Sequence, residues 1–259
     1  MLYDPLNPSI LRELLGKHAD GMQIRVFSEC TSTNTLAKEA ALEAPSEAAL
    51  FVAEQQTAGR GRMGRSFHSP MGAGVYFSLL FPLRQALPSA VSVTCAASVA
   101  VMRAIRQLTG VKTEIKWVND LLLNGKKVCG ILTEAVTVGN ATSLIVGIGI
   151  NLRPCELPAE IAEIATSLNR ETLPRADLIA VVLEELLPFL RDPSDRSWLD
   201  DYRAHSCVLG RRILRVENGA ALPCVAESID DDGGLWVRYP DGRRECLQTG
   251  EISIRVREN

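Results

Sequence analysis

Apolar and polar positions change period several times along the 259 residues, and each change marks an element. Ile10, Leu11, Leu14 and Leu15 share one helical face, behind Asn7 or Ser9 as cap, in a helix reaching His18. Residues 23–29 alternate as a strand. A hydroxyl-rich turn follows at 30–34, then a helix-forming stretch at 35–44. Residues 49–55 form a second strand. A third, at 72–83, is apolar almost throughout and so is expected to be buried on both faces. Residues 88–109 read as a long core helix and 113–117 as a strand. Residues 119–135 read as a hairpin turning at Asn124-Gly125, the dipeptide that tolerates the positive φ angles of tight turns. After a turn at Gly139-Asn140, residues 142–150 make another strand. Consecutive antiparallel strands with one helix interposed predict an α+β fold, a mixed and largely antiparallel sheet flanked by helices.

Helical spacing returns at 158–168 and at 175–191, where Leu178, Ile179, Val182, Leu186 and Leu190 recur on one face, and at 194–205. Near Cys207 the period shortens. Strands are predicted at 211–217, 222–229, 235–240, 243–248 and 252–258, separated by turn residues, as in a small β-barrel. This divides the chain into a domain of residues 1–206 and a domain of residues 207–259. No low-complexity linker separates them, so the two are expected to touch.

Composition narrows the chemistry. A hydrophobic fraction of 46% with 23% charged residues suits a globular core, and a net charge of −3 argues against a surface built for nucleic acid. Seven cysteines form no CxxC pair and lie mostly in apolar stretches, which predicts reduced thiols in a cytoplasmic protein. His18, His68 and His205 lack metal-ligand spacing, so no protein metal site is expected. The first residues lack a signal peptide's basic start and apolar core. The charge-free run 86–102 carries Pro88, three serines and Thr94, and reads as a core helix rather than a membrane span.

Within this frame one loop stands out. Residues 59–70 set Arg60, Arg62 and Arg65 among Gly59, Gly61 and Gly64, and no Asp or Glu occurs between Glu54 and Glu114. Guanidiniums beside bare backbone N–H groups suit a phosphate or carboxylate, although an exposed basic loop or an RNA contact fits the same residues. Ser32 and Thr33 sit where they could merely cap a helix or could hold a polar ligand at its N-terminus. Lys116 ends an apolar strand beside Trp117, either snorkelling or held desolvated as a strong positive field. Gly147, Gly149 and Asn151 end another strand, where glycine lets a ligand approach the sheet.

Taken in order, these motifs resemble those of the biotin protein ligases. Ser32-Thr33-Asn34, Gln56, the loop 59–70, Lys116 to Asp120, the Gly-Ile-Leu at 130–132 and the Gly-x-Gly-Ile-Asn at 147–151 all match, across roughly residues 23–205. The resemblance implies a class II synthetase-like catalytic fold with a small Src-homology-like barrel. It also implies a two-step reaction. Biotin and ATP, with Mg2+, give biotinyl-5′-AMP and pyrophosphate, and a lysine of a biotin carboxyl carrier domain then takes the biotin. Ser32, Thr33, Asn34, Gln56, Gly59, Arg60, Gly61, Arg62, Lys116, Gly130 and Gly147 would contact biotin. Arg62, Arg65, Asn119, Lys127 and Asn151 would serve the nucleotide, and Lys116 and Arg62 would be catalytic.

Two residues depart from the family pattern: Phe67 replaces a usual tryptophan and Val118 a usual proline, leaving Lys116 to be held by packing alone. About twenty residues precede the first strand, too few for the DNA-binding domain of some members, so no repressor role is expected. Either a monomer or a homodimer fits. The alternatives are a lipoate or octanoyl ligase of the same fold and, in another class, an RNA-binding module. The loop, rich in glycine and poor in local acids, is expected to act as a lid that orders around its anion.

Overall fold

The computed structural model describes residues 4–83, 89–217, 219–248 and 250–253. Seven strands form one sheet: β1 (Met22–Phe27), β2 (Ala48–Ala53), β3 (Gly74–Pro82), β4 (Glu114–Lys116), β5 (Asp120–Leu123), β6 (Lys126–Val138) and β7 (Ala141–Asn151). Their order is β1-β2-β3-β7-β6-β5-β4, with β1 and β2 parallel and every other pair antiparallel. The chain is therefore the expected α+β type. The hairpin at Asn124-Gly125 forms with both residues at positive φ, as its sequence requires. Strands β3 and β7 are central and buried along most of their length, which explains their unbroken apolar sequences.

Helix α1 (Pro8–Leu15) is capped by Asn7, whose side chain accepts from the Ser9 amide. Helix α2 (Thr33–Glu43) covers one face of the sheet. The other face is covered by α3 (Ala90–Thr109), buried along most of its length, and α5 (Arg175–Arg191). By length and composition α3 could cross a membrane, but 72% of its most apolar window is buried inside the protein. The expected helix start at Pro88, the turn residue Asn218 and the end of the last strand beyond Ser253 lie outside the described residues.

Three helices are shorter than their spacing predicts: α1 ends at Leu15, and the chain continues through His18 to Ala19 only as a tighter 3-10 turn. Helix α4 is only Ala159–Ala162. Beyond it the backbone is drawn to the sheet: Thr166 N–H donates to Lys127 O, and Leu168 N–H to Asn151 O, both at 2.9 Å. Helix α6 is only Leu199–Ala204. Ahead of it, Asp192 and Asp195 accept from the amides of Ser194 and Ser197, local turns that compete with helix. The last segment makes a second, five-stranded antiparallel sheet. It comprises β8 (Arg212–Glu217), β9 (Ala220–Ile229), β10 (Leu235–Arg238), β11 (Arg244–Leu247) and β12 (Glu251–Ser253), in the order β11-β10-β9-β8-β12. Its apolar residues Ile213, Ala226, Leu235 and Val237 join the same buried cluster as α3 and α5.

One feature of the core is ionic. Arg175, only 1% exposed, donates to Glu54 through both Nη atoms at 2.6 and 3.2 Å, and through Nε to Asp4 Oδ1 at 3.1 Å. Arg153, 5% exposed, donates to the same Asp4 oxygen at 2.6 Å. Burial alone would push the Asp4 carboxyl up. The Arg175 amide and the two guanidiniums outweigh that and hold it below its ordinary value. A carboxyl so lowered stabilises the fold above about pH 4, and that contribution is lost as the pH falls through the lower folded value. Asp4→Asn should therefore cost about 2 kcal/mol at pH 7, or roughly 4–8 °C of Tm. The gap should narrow as the pH falls below about 4. A pH series of thermal melts that shows a constant gap, or none, removes Asp4 from the ionic core.

Candidate functional site

The site grows from a patch of bare backbone on the sheet. Gly147 and Gly149 lie two apart on β7 and so share a face, and Gly149 pairs with Gly130 of β6. A Cβ on Gly149 would come within 2.5 Å of the Phe67 ring, and one on Gly147 within 1.8 Å of Asn34 Oδ1. The missing side chains are thus the space that Phe67 and Asn34 occupy. Phe67 stands edge-on to Tyr76, with ring centroids 6.4 Å apart, and Lys127 Nζ is 5.9 Å from its centroid.

The arginine loop is brought onto this patch by its own hydrogen bonds. Phe67 N–H donates to Gly59 O at 2.8 Å and Gly61 N–H to Arg65 O at 2.7 Å, while Met63 and Gly64 turn the tip at φ 55° and 74°. Under the loop runs a polar chain. Thr33 donates to Gln56 Oε1 from its amide at 2.9 Å and from its hydroxyl at 3.2 Å. Gln56 Nε2 donates to Ser69 Oγ at 2.8 Å, and Ser69 to Phe67 O at 3.0 Å. Ser78 Oγ, fully buried, lies 2.7 Å from Thr33 Oγ1 and 2.6 Å from Asn34 Oδ1. Asn34 Nδ2 donates to Glu134 at 2.9 Å. Ser32 stands at the N-cap position of α2, but its side chain makes no capping bond.

Two adjacent spaces result. A narrow cleft of about 40 Å³ is lined by Ser32, Thr33, Asn34, Gln56, Arg60, Gly61, Arg62, Gly130 and Gly147. A wider cavity of about 560 Å³ is lined by Arg62, Arg65, Lys116, Asn119, Lys127 and Asn151. Gly61, Arg62, Phe67, Asn119 and Lys127 border both. Lys116, grouped with the biotin residues by resemblance, lines the wider cavity only. Gly59 lines neither; it packs beneath the Phe67 carbonyl.

Several contacts were not legible in advance. The arginines lack anionic partners nearby in sequence, yet Glu134 stands 3.5 Å from Arg60 across the sheet. Arg62 donates to Asn119 Oδ1 at 3.2 Å and to Gly250 O at 3.1 Å, joining the loop to the second sheet. Lys127 is paired with Asp120 at 2.7 Å. Lys116 is not held by packing alone. Its neighbour Trp117 donates from its indole to Gly233 O at 2.9 Å, and Tyr202 OH donates to Val118 O at 3.2 Å. The Trp117–Val118 peptide is cis. Ser78 did have a signal, as the one serine in the middle of an apolar strand; Glu134 had none.

Burial pushes the Cys30 thiol, beside the site, up to about 11, with Glu29 adding to the shift, and burial likewise raises Cys129. These thiols are held away from the nucleophilic thiolate form at neutral pH.

Residues 26–151 match the Biotin/lipoate A/B protein ligase family. Over 252 residues the chain is 39% identical to the bifunctional ligase/repressor BirA of Bacillus spizizenii, covering 93% of this chain and 75% of that protein. The chain belongs to the biotin protein ligases. It is also 31% identical to the biotin–[acetyl-CoA-carboxylase] ligase of Mycobacterium tuberculosis, over 97% of this chain and 96% of that one. The biotin protein ligase of Aquifex aeolicus, solved in complex with biotin and ATP, superposes with a TM-score of 0.74 at 26% identity. That match covers 90% of this chain and 98% of that one. Against the ligase/repressor of Bacillus subtilis the chain spans only 58% of the relative's length. By family this is an ATP-dependent biotin ligase, and the relatives from Mycobacterium tuberculosis and Aquifex aeolicus are named for biotin.

In this ligase, Gly149→Ala should drive Phe67 off the sheet. Overpacking of this kind costs roughly 1–3 kcal/mol, and biotin binding should weaken at least about tenfold. Adding Phe67→Ala should restore both Tm and binding in part. A single variant that binds biotin as tightly as the unsubstituted chain would show that the wedge does not shape the cleft.

Proposed function

We propose that the narrow cleft takes the ring end of biotin, the wider cavity takes ATP, and the two react where the spaces join. The carrying observation is that Gly61, Arg62, Phe67, Asn119 and Lys127 border both spaces. Ser32, Thr33 and Gln56 offer hydroxyl, amide and carboxamide groups to the ureido end, and Phe77, Ile131 and Ile148 cover the thioether ring. The valeryl chain then leads its carboxylate past Arg60 and Gly61 to the junction.

The chemistry there is mainly electrostatic. A carboxylate must approach an α-phosphate of the same sign, so fixed cations lower the barrier more than any nucleophile or base would. Arg62 and Lys127 act from the junction; Arg65 and Lys116 act from the phosphate side. In the first step a carboxylate oxygen bonds to the α-phosphorus and pyrophosphate leaves. In the second, a lysine amine of a biotin carboxyl carrier domain bonds to the acyl carbon, and AMP leaves with the bridging oxygen. Magnesium enters with the nucleotide as its phosphate complex. Among the described residues no group of three or more His, Cys, Asp or Glu could hold an ion, and Asp120 is already paired with Lys127.

A cleft of about 40 Å³ has room for about three water molecules. Biotin entry therefore requires Phe67 and its loop to lift, and closure over the adenylate keeps water out. We place the reaction in the cytoplasm, in keeping with the free thiols of all seven cysteines. No DNA-binding role is proposed. The five-stranded sheet, taken as a small domain from residue 207 onward, completes one wall of the nucleotide cavity through Gly250, Ile252 and Ser253.

Incubation with Mg-ATP, labelled biotin and a biotin carboxyl carrier domain should label the carrier and release one pyrophosphate per transfer. Lys116→Ala should fold normally and lower adenylate formation roughly 10²–10³-fold, with biotin affinity little changed because Lys116 lies outside the cleft. Transfer of lipoate in place of biotin would contradict the substrate assignment. Unchanged turnover in the Lys116 variant would remove it from the catalytic set.

A further inference from the structure

The buried ionic cluster stands at the two ends of the arginine loop. Glu54 lies two residues before Gln56, and its carboxylate is gripped by Arg175 at 2.6 and 3.2 Å while also accepting from Leu6 N–H at 2.9 Å. At the other end, Gly72 N–H donates to Glu54 O at 3.2 Å, and Gly72 O accepts from Arg153 Nη1 at 3.1 Å. Arg153 follows the glycine strand by two residues, its amide donating to Ala73 O at 2.8 Å. Asp4 then joins the halves, accepting from Arg153 at 2.6 Å and from the Arg175 amide at 2.9 Å. Two carboxylates and two guanidiniums balance in charge, and the guanidiniums are 95% or more buried.

We propose that Asp4, Glu54, Arg153 and Arg175 form a clamp that fixes both stems of the 55–71 segment to the end of β7, so that the loop opens and closes on an immobile hinge. None of the four lines either cavity, so they are positioning residues rather than catalytic ones. The geometry goes beyond what core stability needs. Buried ion pairs are poor sources of net stability, because desolvation offsets their attraction, and their better-attested use is to select one arrangement among several. Bidentate and forked contacts from Arg175 to two separate chain segments impose such an arrangement. The consequence for turnover rests on the ligase reading above; the consequence for loop motion does not.

The test compares Asp4→Asn with Leu186→Ala, a cavity variant in the core face of α5, at temperatures set equally far below each variant's Tm. Leu186 is fully buried and outside both cavities. Amide hydrogen exchange across 55–71 should be roughly tenfold faster in Asp4→Asn than in the matched control. In turnover, labelling of free bystander amines by escaped adenylate should rise roughly tenfold relative to carrier labelling, and the KM for biotin should rise with it. Glu54→Gln, which keeps the side chain's shape and removes one charge, is read in the same way should Asp4→Asn fail to fold. Equal exchange and equal escape in the clamp variants and the control would overturn the proposal. An unsubstituted chain that makes no adenylate would instead count against the ligase reading, with the exchange comparison still deciding the clamp.

Discussion

Everything at this site depends on three glycines that leave the sheet bare. Gly147 and Gly149 on β7, with Gly130 opposite on β6, let Asn34 and Phe67 come closer to the backbone than any side chain on those strands would allow. Asn34 brings the N-terminus of α2 and its hydroxyls against the sheet. Phe67 brings the arginine loop down beside them. Remove the bare patch and the two groups of residues separate, and no rearrangement elsewhere restores their register because β3 and β6 fix β7 on both sides.

The second dependence is on charge. The chain is slightly acidic overall, yet Arg62, Arg65, Lys116 and Lys127 line one cavity together. Holding these cations near one another costs energy, which is offset by individual tethers: Arg62 to Asn119 and Gly250, and Lys127 to Asp120. Among the described contacts these tethers set neutral acceptors beside Arg62 and a single carboxylate beside Lys127. The second sheet takes part in this. It supplies an acceptor to Arg62 and, through Gly233, one to Trp117 beside Lys116.

Much of this was legible in the sequence, for local reasons. The Asn124-Gly125 hairpin and the α5 spacing are specified by residues close to one another, and both form as read; the arginine loop is a loop but for a short 3-10 turn at Arg62–Gly64. The errors share a cause. Residues 163–168 have helical spacing but give their amides to Lys127 and Asn151 on the sheet, and residues 192–197 give theirs to aspartate side chains. Glu134 and the Asp4–Arg175 cluster join segments about 74 and 171 residues apart in sequence, and no local pattern announces such pairs. The site's residue types could be read from the motifs. Their division between two cavities, with Lys116 in the wider one, needed the fold.

On the proposed reading the carboxylate of biotin attacks the α-phosphorus at the junction of the two cavities. Single-turnover transfer from biotin labelled with oxygen-18 in both carboxylate oxygens tests this directly. The account requires one labelled oxygen in the released AMP and none in pyrophosphate, because the bridging oxygen of the mixed anhydride leaves with the nucleotide. Label in inorganic phosphate or pyrophosphate, with AMP unlabelled, would mean that the carboxylate reacts elsewhere on the triphosphate and would contradict the account.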